Sequence, residues 1–240
     1  MTNEPPDADL AVVEGQEPPS ARTPLSRERI VGAALSYIES DGMAGLTMRR
    51  LGAMLGVEAM SLYRHIPGRE QLLDAVVEAV LAEMDDDPDV IDAPTHGWQD
   101  FVQRMAHGIR RVALAHPKAF PLVASRPTEA PWLRPPLRSV DWVEHFLCGL
   151  IEEGFTEQGA VEAYRACSSF LLGILLLEVA TLGADLGPLD VLEEDGDADL
   201  SAHPTVHRLR GLLQEDHSAA EFDIALEELI NRLALIRSEQ

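Results

Sequence analysis

The sequence predicts an all-α protein built from two helical domains. Apolar residues recur with helical spacing over most of the chain from Ser26 onward, and no stretch of strand length alternates apolar and polar residues. The chain has 240 residues, 46% of them hydrophobic, which is enough for one or two domains with sizeable cores. No run of 18 apolar residues occurs, so the sequence predicts no membrane-spanning helix and no membrane partner.

The first 24 residues predict a disordered acidic tail, because they are rich in Pro, Glu, Asp and Ala and have little to bury. They lack a basic segment followed by an apolar one, and therefore predict no signal peptide. Two cysteines, Cys148 and Cys167, make no disulfide framework, so we expect a cytoplasmic protein.

Charge is unevenly distributed along the chain. The total is −22, yet residues 25–70 contain six Arg and five acidic residues. A strongly acidic protein is a poor general binder of nucleic acid. The one segment that escapes the acidic bias is therefore the candidate for a specific contact with an anionic partner.

Helical elements follow one another from the first domain to the end of the chain. Ile30, Ala34, Tyr37 and Ile38 form the apolar stripe of a first helix, which ends at Asp41-Gly42. Further helices are predicted over residues 47–55, 58–65, 69–84, 95–115, 137–153, 157–182, 205–215 and 219–237. The Pro-rich residues 126–136 predict irregular or kinked backbone. The acidic residues 184–204 predict a mobile loop.

Residues 47–66, TMRRLGAMLGVEAMSLYRHI, carry the functional signal. Two short helices meet at Gly56, which permits the positive φ of a tight turn, and this is the helix-turn-helix pattern. An ordinary helical hairpin has the same spacing and remains open on that ground alone. Arg49 and Arg50 oppose the dipole of their helix, so local stability does not explain them. Ser61, Tyr63 and the following Arg-His pair add donors suited to phosphate oxygens.

The stretch GLTMRRLGAMLGVEAMSLYRHIPGREQLLDAV resembles the DNA-binding domain of the TetR (tetracycline repressor) family. Later points, GWQDF, SRP, EEGF and FLLG, resemble the C-terminal domain of the tetracycline repressor subgroup. The resemblance implies a three-helix helix-turn-helix domain over residues 25–70. It also implies a helical ligand-binding and dimerisation domain over residues 71–240.

The resemblance implies a set of DNA-contacting residues: Thr47, Arg49, Ala59, Met60, Ser61, Tyr63, His65 and Arg69. Arg49 also has the donor geometry to bind a guanine bidentately. Ala59 and Met60 lack polar groups and offer only apolar contact, for instance to a thymine methyl group. We therefore expect an operator that differs from that of the tetracycline repressor.

The resemblance places Leu122 where the tetracycline repressor has a metal-binding histidine, and other drug-contacting positions match Asp85 and Ser169. We therefore expect no metal, no cofactor and a more apolar effector. Candidate cavity residues are aromatic, apolar or adjacent to the SRP motif: Met105, Ile109, Phe120, Leu122, Ser125, Arg126, Trp132, Trp142, Phe146, Phe170 and Ile174. Plain core packing explains about half of them equally well. His145 and Cys148 have a metal-compatible spacing, although no second pair accompanies them.

Together these observations predict a ligand-responsive transcription regulator, a repressor released from a palindromic double-stranded DNA operator by a small molecule. A homodimer is expected through residues 157–182 and 219–237. Its apolar surface is expected from Leu171, Leu172, Leu175, Val179, Ile224, Leu226, Ile230 and Leu233. The alternative is a helical small-molecule sensor or carrier without DNA binding. No nucleophile-elbow, P-loop or dinucleotide motif supports an enzyme.

Overall fold

The structure is a computed structural model that describes residues 24–91, 93–126, 139–187 and 200–238. These residues form helices and connecting turns, with no strand among them. The helices in chain order are α1 (Arg27–Asp41), α2 (Met48–Leu55), α3 (Ala59–Leu62), α4 (Arg69–Asp85), α5 (Trp98–Ala115), α6 (Phe120–Ser125), α7 (Val140–Glu152), α8 (Glu157–Thr181), α9 (Pro204–Leu213) and α10 (Ser218–Ser238). The all-α prediction is confirmed.

Helix ends follow the local sequence. The Ser26 hydroxyl accepts a hydrogen bond from the Arg29 amide at 3.2 Å and so caps α1. Gly42, with φ of 79°, ends that helix at the predicted place. Thr156 caps α8 in the same way, through the Gly159 amide at 3.2 Å.

Two apolar cores organise the molecule. The first packs α1–α4 together with the end of α5 and the start of α6. The second packs α5, α7, α8 and α10. Three partly buried side chains, Ile109, Val123 and Trp142, pack against both cores. The two halves of the protein therefore meet along one apolar seam.

Helix α4 belongs to the first core over its whole length. Its inward side chains, from Leu72 to Met84, are buried with those of α1. The domain boundary that the sequence predicted, at residue 70, falls at the second residue of this helix. The helix is about 25 Å long at 1.5 Å per residue. A tilt of α4 would therefore displace the segments at both of its ends.

Two elements differ from the sequence prediction. Helix α6 was not predicted, because six residues are too few to show apolar periodicity. Its Pro121 lies in the first turn, where a helix tolerates proline. Helix α3 ends at Leu62 rather than near residue 65, and the residues after it form a turn. The predicted tail up to residue 23, most of the Pro-rich segment and residues 188–199 of the predicted loop lie outside the described residues.

Helix α8 is, by length and composition, the one helix of the described ranges that would be able to cross a membrane. It packs here against α5, α6, α7 and α10, as the central helix of a globular domain does. Helix α9 differs from the others because none of its residues is buried.

Candidate DNA-binding face and ligand cavity

Helices α2 and α3 form a tight pair whose ends are defined by the local sequence. The Thr47 hydroxyl accepts a hydrogen bond from the Arg50 amide at 3.2 Å and caps α2. Gly56 ends α2 in the left-handed conformation, with φ of 68° and ψ of 32°. The Val57 amide then donates to the Gly52 carbonyl at 2.9 Å and closes the turn. The predicted turn at Gly56 is confirmed.

Gly52 sets the separation of the two helices. A Cβ atom at this position would lie 2.9 Å from the Val57 carbonyl oxygen and 3.2 Å from the Ala59 amide nitrogen. Both neighbours are backbone atoms, which cannot move aside as a flexible side chain does. A side chain at this position would therefore press on the backbone of the turn, which favours glycine where α2 and α3 approach.

The inner side of the pair is held by the first core, with Leu51 and Leu62 fully buried and Ile66 nearly so. This packing leaves the outer side of α3 in solvent, where the Met60 side chain is 73% exposed. Tyr63 and His65 also lie exposed just after the helix. Ala59 and Ser61 are half-buried at its start.

Arg49 and Arg50, adjacent in sequence, have different environments. Arg50 donates to the Tyr37 hydroxyl at 2.5 Å and to the Gly45 carbonyl at 3.3 Å, and its guanidinium lies 5.7 Å from the centre of the Tyr37 ring. Arg49 is exposed and makes no hydrogen bond or ion pair with any residue that the structure describes. The interpretation that local stability explains neither arginine is therefore wrong for Arg50.

Arg69 and Arg64 complete the positive groups of this face. The Arg69 Nε atom donates to the Leu46 carbonyl at 3.2 Å, and its Nη1 atom lies 3.7 Å from Glu70. Arg69 thus fastens the first turn of α4 to the loop before α2. Arg64, which follows Met60 by one helical turn, is exposed and forms no ion pair within the described ranges.

A cavity of about 120 Å³ opens between the two cores. Most of its surface is aliphatic, aromatic or thioether. The lining residues are Leu81, Met84, Met105, Ile109, Val112, Phe120, Val123, Ser139, Trp142, Val143, Phe146, Tyr164, Cys167, Ser168, Leu171 and Leu172. None of them is an acid, a lysine, an arginine or a histidine.

Five of the predicted cavity residues line this space: Met105, Ile109, Phe120, Trp142 and Phe146. Five others lie elsewhere. Leu122 is buried in the first core, Phe170 and Ile174 pack in the second, Ser125 is exposed, and Arg126 forms ion pairs with α4. Trp132 lies outside the described residues.

The α8 wall of the cavity was missed at the sequence level. Its members, Tyr164, Cys167, Ser168, Leu171 and Leu172, recur every three or four residues and so share one helix face. That spacing was available in the sequence. It predicted burial without separating a cavity wall from a packed core.

The titratable groups of the cavity are held in their neutral forms. Burial raises the pKa of the Cys167 thiol to about 12. Burial also raises the pKa of the Tyr164 phenol, an effect that the hydrogen bond with Ser168 partly offsets. The Ser168 hydroxyl donates to the Tyr164 carbonyl one turn earlier. The described lining residues therefore supply polar groups but no charge near neutral pH.

Helix α6 lies between the cavity and the first core. Phe120 and Val123 face the cavity, whereas Leu122 is buried among side chains of α1 and α4. A movement of this short helix would therefore change the packing of both the cavity wall and the first core.

Both ends of α6 are tied to the first domain. Before the helix, Glu39 at the end of α1 accepts from the Ala119 amide at 2.9 Å and the Lys118 amide at 3.3 Å. After it, Arg126 donates to Glu70 at 2.7 Å and to Asp74 at 2.9 Å. Burial opposes the charge on Arg126, but these two carboxylates outweigh it and raise the pKa of the guanidinium.

Within the described residues, no three His, Cys, Asp or Glu side chains are grouped to hold a metal ion. His145 and Cys148 both lie on the exposed side of α7. The Cys148 thiol donates to Glu144 at 3.4 Å, and the His145 ring lies edge-on to Trp142. The pair has packing and surface contacts and no further ligand.

The residues predicted for the dimer interface lie mostly inside the protomer. Leu175, Val179, Leu226, Ile230 and Leu233 are buried where α8 and α10 pack together, and Leu171 and Leu172 line the cavity. Of the predicted set only Ile224 is well exposed. The prediction chose the inward faces of these helices, because it could not tell which face each helix turns to its own protomer. The exposed apolar side chains of α8 and α10 are Val161, Leu177, Ile224 and Leu235.

Comparison with known proteins agrees with this architecture. Residues 30–76 match the model of the bacterial regulatory proteins, tetR family, and residues 92–231 match the tetracyclin repressor-like C-terminal domain. The class D tetracycline repressor of Escherichia coli is 33% identical over 153 residues, which are 63% of this chain and 66% of that protein. The match thus spans slightly less than two thirds of that relative.

Two solved structures are similar over nearly their whole length. TetR of Acinetobacter baumannii superposes with a TM-score of 0.67 at 27% identity, over 89% of this chain and 99% of that one. ActR of Streptomyces coelicolor, in complex with actinorhodin, gives a TM-score of 0.61 at 26% identity, over 88% of this chain and 96% of that one. From its helix-turn-helix to its helical C-terminal domain, the chain belongs to the TetR family.

Proposed function

We propose that this TetR-family protein is a repressor that binds a palindromic DNA operator and leaves it when a small apolar molecule enters the cavity. It is a ligand-responsive DNA-binding transcriptional regulator, and this function needs no enzymatic step. The observation that carries the proposal is that the protein has both an exposed face, formed by α3 and the start of α2, and an apolar cavity, which other helices line. Proteins of this family work in the cytoplasm, and the same location is proposed here.

We assign the DNA contacts to α3, to the residues that follow it and to the start of α2. Helix α3 enters the major groove, where Met60 and Ala59 contact apolar base edges and Arg49 binds a guanine. Tyr63, His65 and Arg69 contact phosphates, together with the Thr47 end of α2. A sensor without DNA binding would not explain why Arg49 stands exposed and without a partner among the described residues.

The operator is proposed to be palindromic because the protein is proposed to act as a homodimer. The outward side of α8 carries Val161, Ser169, Gly173 and Leu177 at intervals of four or eight residues, so they form one exposed stripe. Ile224 and Leu235 provide exposed apolar surface on the neighbouring α10. A twofold axis through these helices would place two copies of α3 on the half-sites of a palindrome. A sedimentation measurement that found only monomer at micromolar concentration would contradict this arrangement.

Release of DNA is assigned to α6. A ligand that contacts Phe120 and Val123 would shift this helix, and the ties to Glu39 on one side and to Glu70 and Asp74 on the other would transmit the shift to α1 and α4. Only a ligand with different affinities for the DNA-bound and free states can drive such a change. The structure of the relative ActR in complex with actinorhodin supports a ligand role for this fold.

The test is the selection of bound fragments from random or genomic DNA by the purified protein at two salt concentrations. Recovery of one palindromic site, bound more weakly as salt rises and lost in Arg49→Ala, is the expected result. Each phosphate contact should contribute roughly −0.9 to the slope of log K against log salt. Arg208→Ala is the matched control, because Arg208 is an exposed arginine of α9, a helix that has no buried residue and lies far from α3 in sequence. Failure to recover any site at low salt would overturn the proposal.

A further inference from the structure

The cavity walls are apolar almost everywhere, yet α8 places two polar side chains in them. Ser168 is 6% exposed, and Tyr164 is 5% exposed. The partner of Ser168 is Tyr164, one helical turn earlier on the same wall. The Ser168 hydroxyl gives its proton to the Tyr164 backbone carbonyl, so its oxygen keeps the capacity to accept a hydrogen bond from a ligand at this wall.

We infer that Tyr164 and Ser168 are the specificity-determining anchor of the cavity, which takes an uncharged aromatic molecule that presents a hydroxyl group to them. This inference rests on the proposed function, because it assumes that the cavity is the effector site. It adds the chemical class of the effector and the residues that select it.

No charged side chain lies among the described lining residues, and this disfavours ionic ligands. A carboxylate or ammonium group would lose its hydration on entry and meet no opposite charge among the lining residues. Arg126, the one cation among the residues that the sequence predicted for the cavity, is already paired with Glu70 and Asp74. An uncharged molecule bears no such cost.

Aromatic shape is favoured by the other walls. Phe120, Trp142 and Phe146 supply ring faces and edges, and Met84 and Met105 supply polarisable thioethers. Flat aromatic ligands gain from both kinds of contact. A hydroxyl group is favoured over a carbonyl because it both donates and accepts, and so joins a hydroxyl pair in either direction.

Ser139 and Cys167, the other polar side chains of the walls, do not fit this role. The Ser139 hydroxyl caps α7 by accepting from the Trp142 amide at 3.3 Å, and Ser139 is only half-buried, whereas Ser168 is buried in the wall. Thiols are weak hydrogen-bonding groups, and Cys167 is buried. The anchor is therefore assigned to the Tyr164–Ser168 pair.

The experiment measures binding of naphthalene, 2-naphthol and 2-naphthoate to the full chain by isothermal titration calorimetry. We expect 2-naphthol to bind about tenfold more tightly than naphthalene, the value of one neutral hydrogen bond, and 2-naphthoate to bind least. Ser168→Ala and Tyr164→Phe should abolish the preference for 2-naphthol and leave the affinity for naphthalene within about twofold. Ser36→Ala is the matched control, since the Ser36 hydroxyl also donates to the carbonyl four residues earlier, that of Gly32, but lies exposed on α1, outside the cavity.

Three outcomes would overturn the inference: tightest binding of 2-naphthoate, a preference for 2-naphthol that survives both substitutions, or binding of none of the probes. Circular dichroism of each variant shows whether it is folded, and the affinity for naphthalene shows whether its cavity is intact. The DNA selection is independent of this test. If an operator is recovered but no probe binds, the proposed regulator stands and the proposed anchor is wrong. If the probes bind as expected but no operator is recovered, the anchor stands and the regulator is wrong.

Discussion

The DNA-binding face and the ligand cavity are built on opposite principles. The face is a short stretch of consecutive chain, residues 47–69, whose helix ends are set by a cap and a turn and whose outer side chains stand in solvent. The cavity is assembled from helices that extend from α4 to α8, and its wall residues are buried or half-buried. A local motif therefore specifies the first, whereas the packing of distant segments specifies the second.

This difference has an energetic side. The face depends on one close approach of backbone to backbone, at Gly52, and tolerates little change there. The cavity is an unfilled space between two cores, so its wall side chains can change shape at smaller cost. Four experiments test this contrast, in order of decreasing expected effect.

Gly52→Ala should be the most damaging small change. The new methyl group would press on the Val57 carbonyl and the Ala59 amide, which predicts a loss of about 1–3 kcal/mol of unfolding free energy and, through displacement of α3, loss of operator binding. Urea unfolding and operator titration measure the two effects. The matched control is Gly32→Ala in α1, where a Cβ atom meets nothing within 4 Å. Equal stability of the two variants would show that the approach of α2 to α3 is not tight.

Arg49→Ala and Arg50→Ala should separate binding from folding. Arg49→Ala is expected to cost about 1–3 kcal/mol of operator affinity with relaxed sequence preference, and to leave the unfolding free energy nearly unchanged. Arg50→Ala should lower the unfolding free energy by about 1 kcal/mol, because it loses the bonds to Tyr37 and Gly45. Operator titration and thermal unfolding of both variants are the measurements. The assignment fails if the two substitutions behave alike.

Arg126→Gln should weaken the link between the two regions and leave each of them intact. The variant loses the ion pairs to Glu70 and Asp74 that fasten the end of α6 to α4. We expect the effect of 2-naphthol on operator affinity to shrink about fivefold, with little change in the affinity without ligand. Operator titrations with and without 2-naphthol give this ratio. Arg27→Gln is the control, since it removes the half-exposed pair of Arg27 with Glu78 between α1 and α4. An unchanged ratio in Arg126→Gln would place the coupling elsewhere.

Thiol labelling should give the smallest effect, a difference in rate alone. Cys148 is exposed, whereas burial raises the pKa of Cys167 from 9.0 to about 12. Iodoacetamide at pH 8 should therefore modify one thiol per folded chain, at Cys148, even though the hydrogen bond to Glu144 raises the pKa of that thiol as well. The folded state retains the Cys167 proton more tightly than the unfolded state does. The contribution of this difference to the unfolding free energy is therefore fully present below pH 9 and is lost as pH rises toward 12. Rapid labelling of Cys167 at pH 8 would show that the cavity opens freely to solvent.

The sequence predicted the two regions unequally well. Thr47, Gly56 and the apolar residues between them stand at fixed offsets in one short stretch, so α2 and its turn could be predicted with their ends, whereas the end of α3 was placed three residues too late. The role of Arg50 could not, because its partner Tyr37 lies on another helix. For the cavity, aromatic and Met content identified five wall residues, while the α8 wall required knowledge of which face turns inward. The same ambiguity placed the predicted dimer surface on the buried faces of α8 and α10.

The apolar seam between the two cores has a thermodynamic consequence. Ile109, Val123 and Trp142 are the side chains that pack against both cores, and all three also line the cavity. A ligand in the cavity would contact both cores at once. Unfolding of either core would then release the ligand, so binding would stabilise the two cores together. Calorimetry of the ligand-free chain would then show a broad transition, with a van't Hoff enthalpy below the calorimetric one. Saturation with ligand would bring the two enthalpies together and make two domains unfold as one.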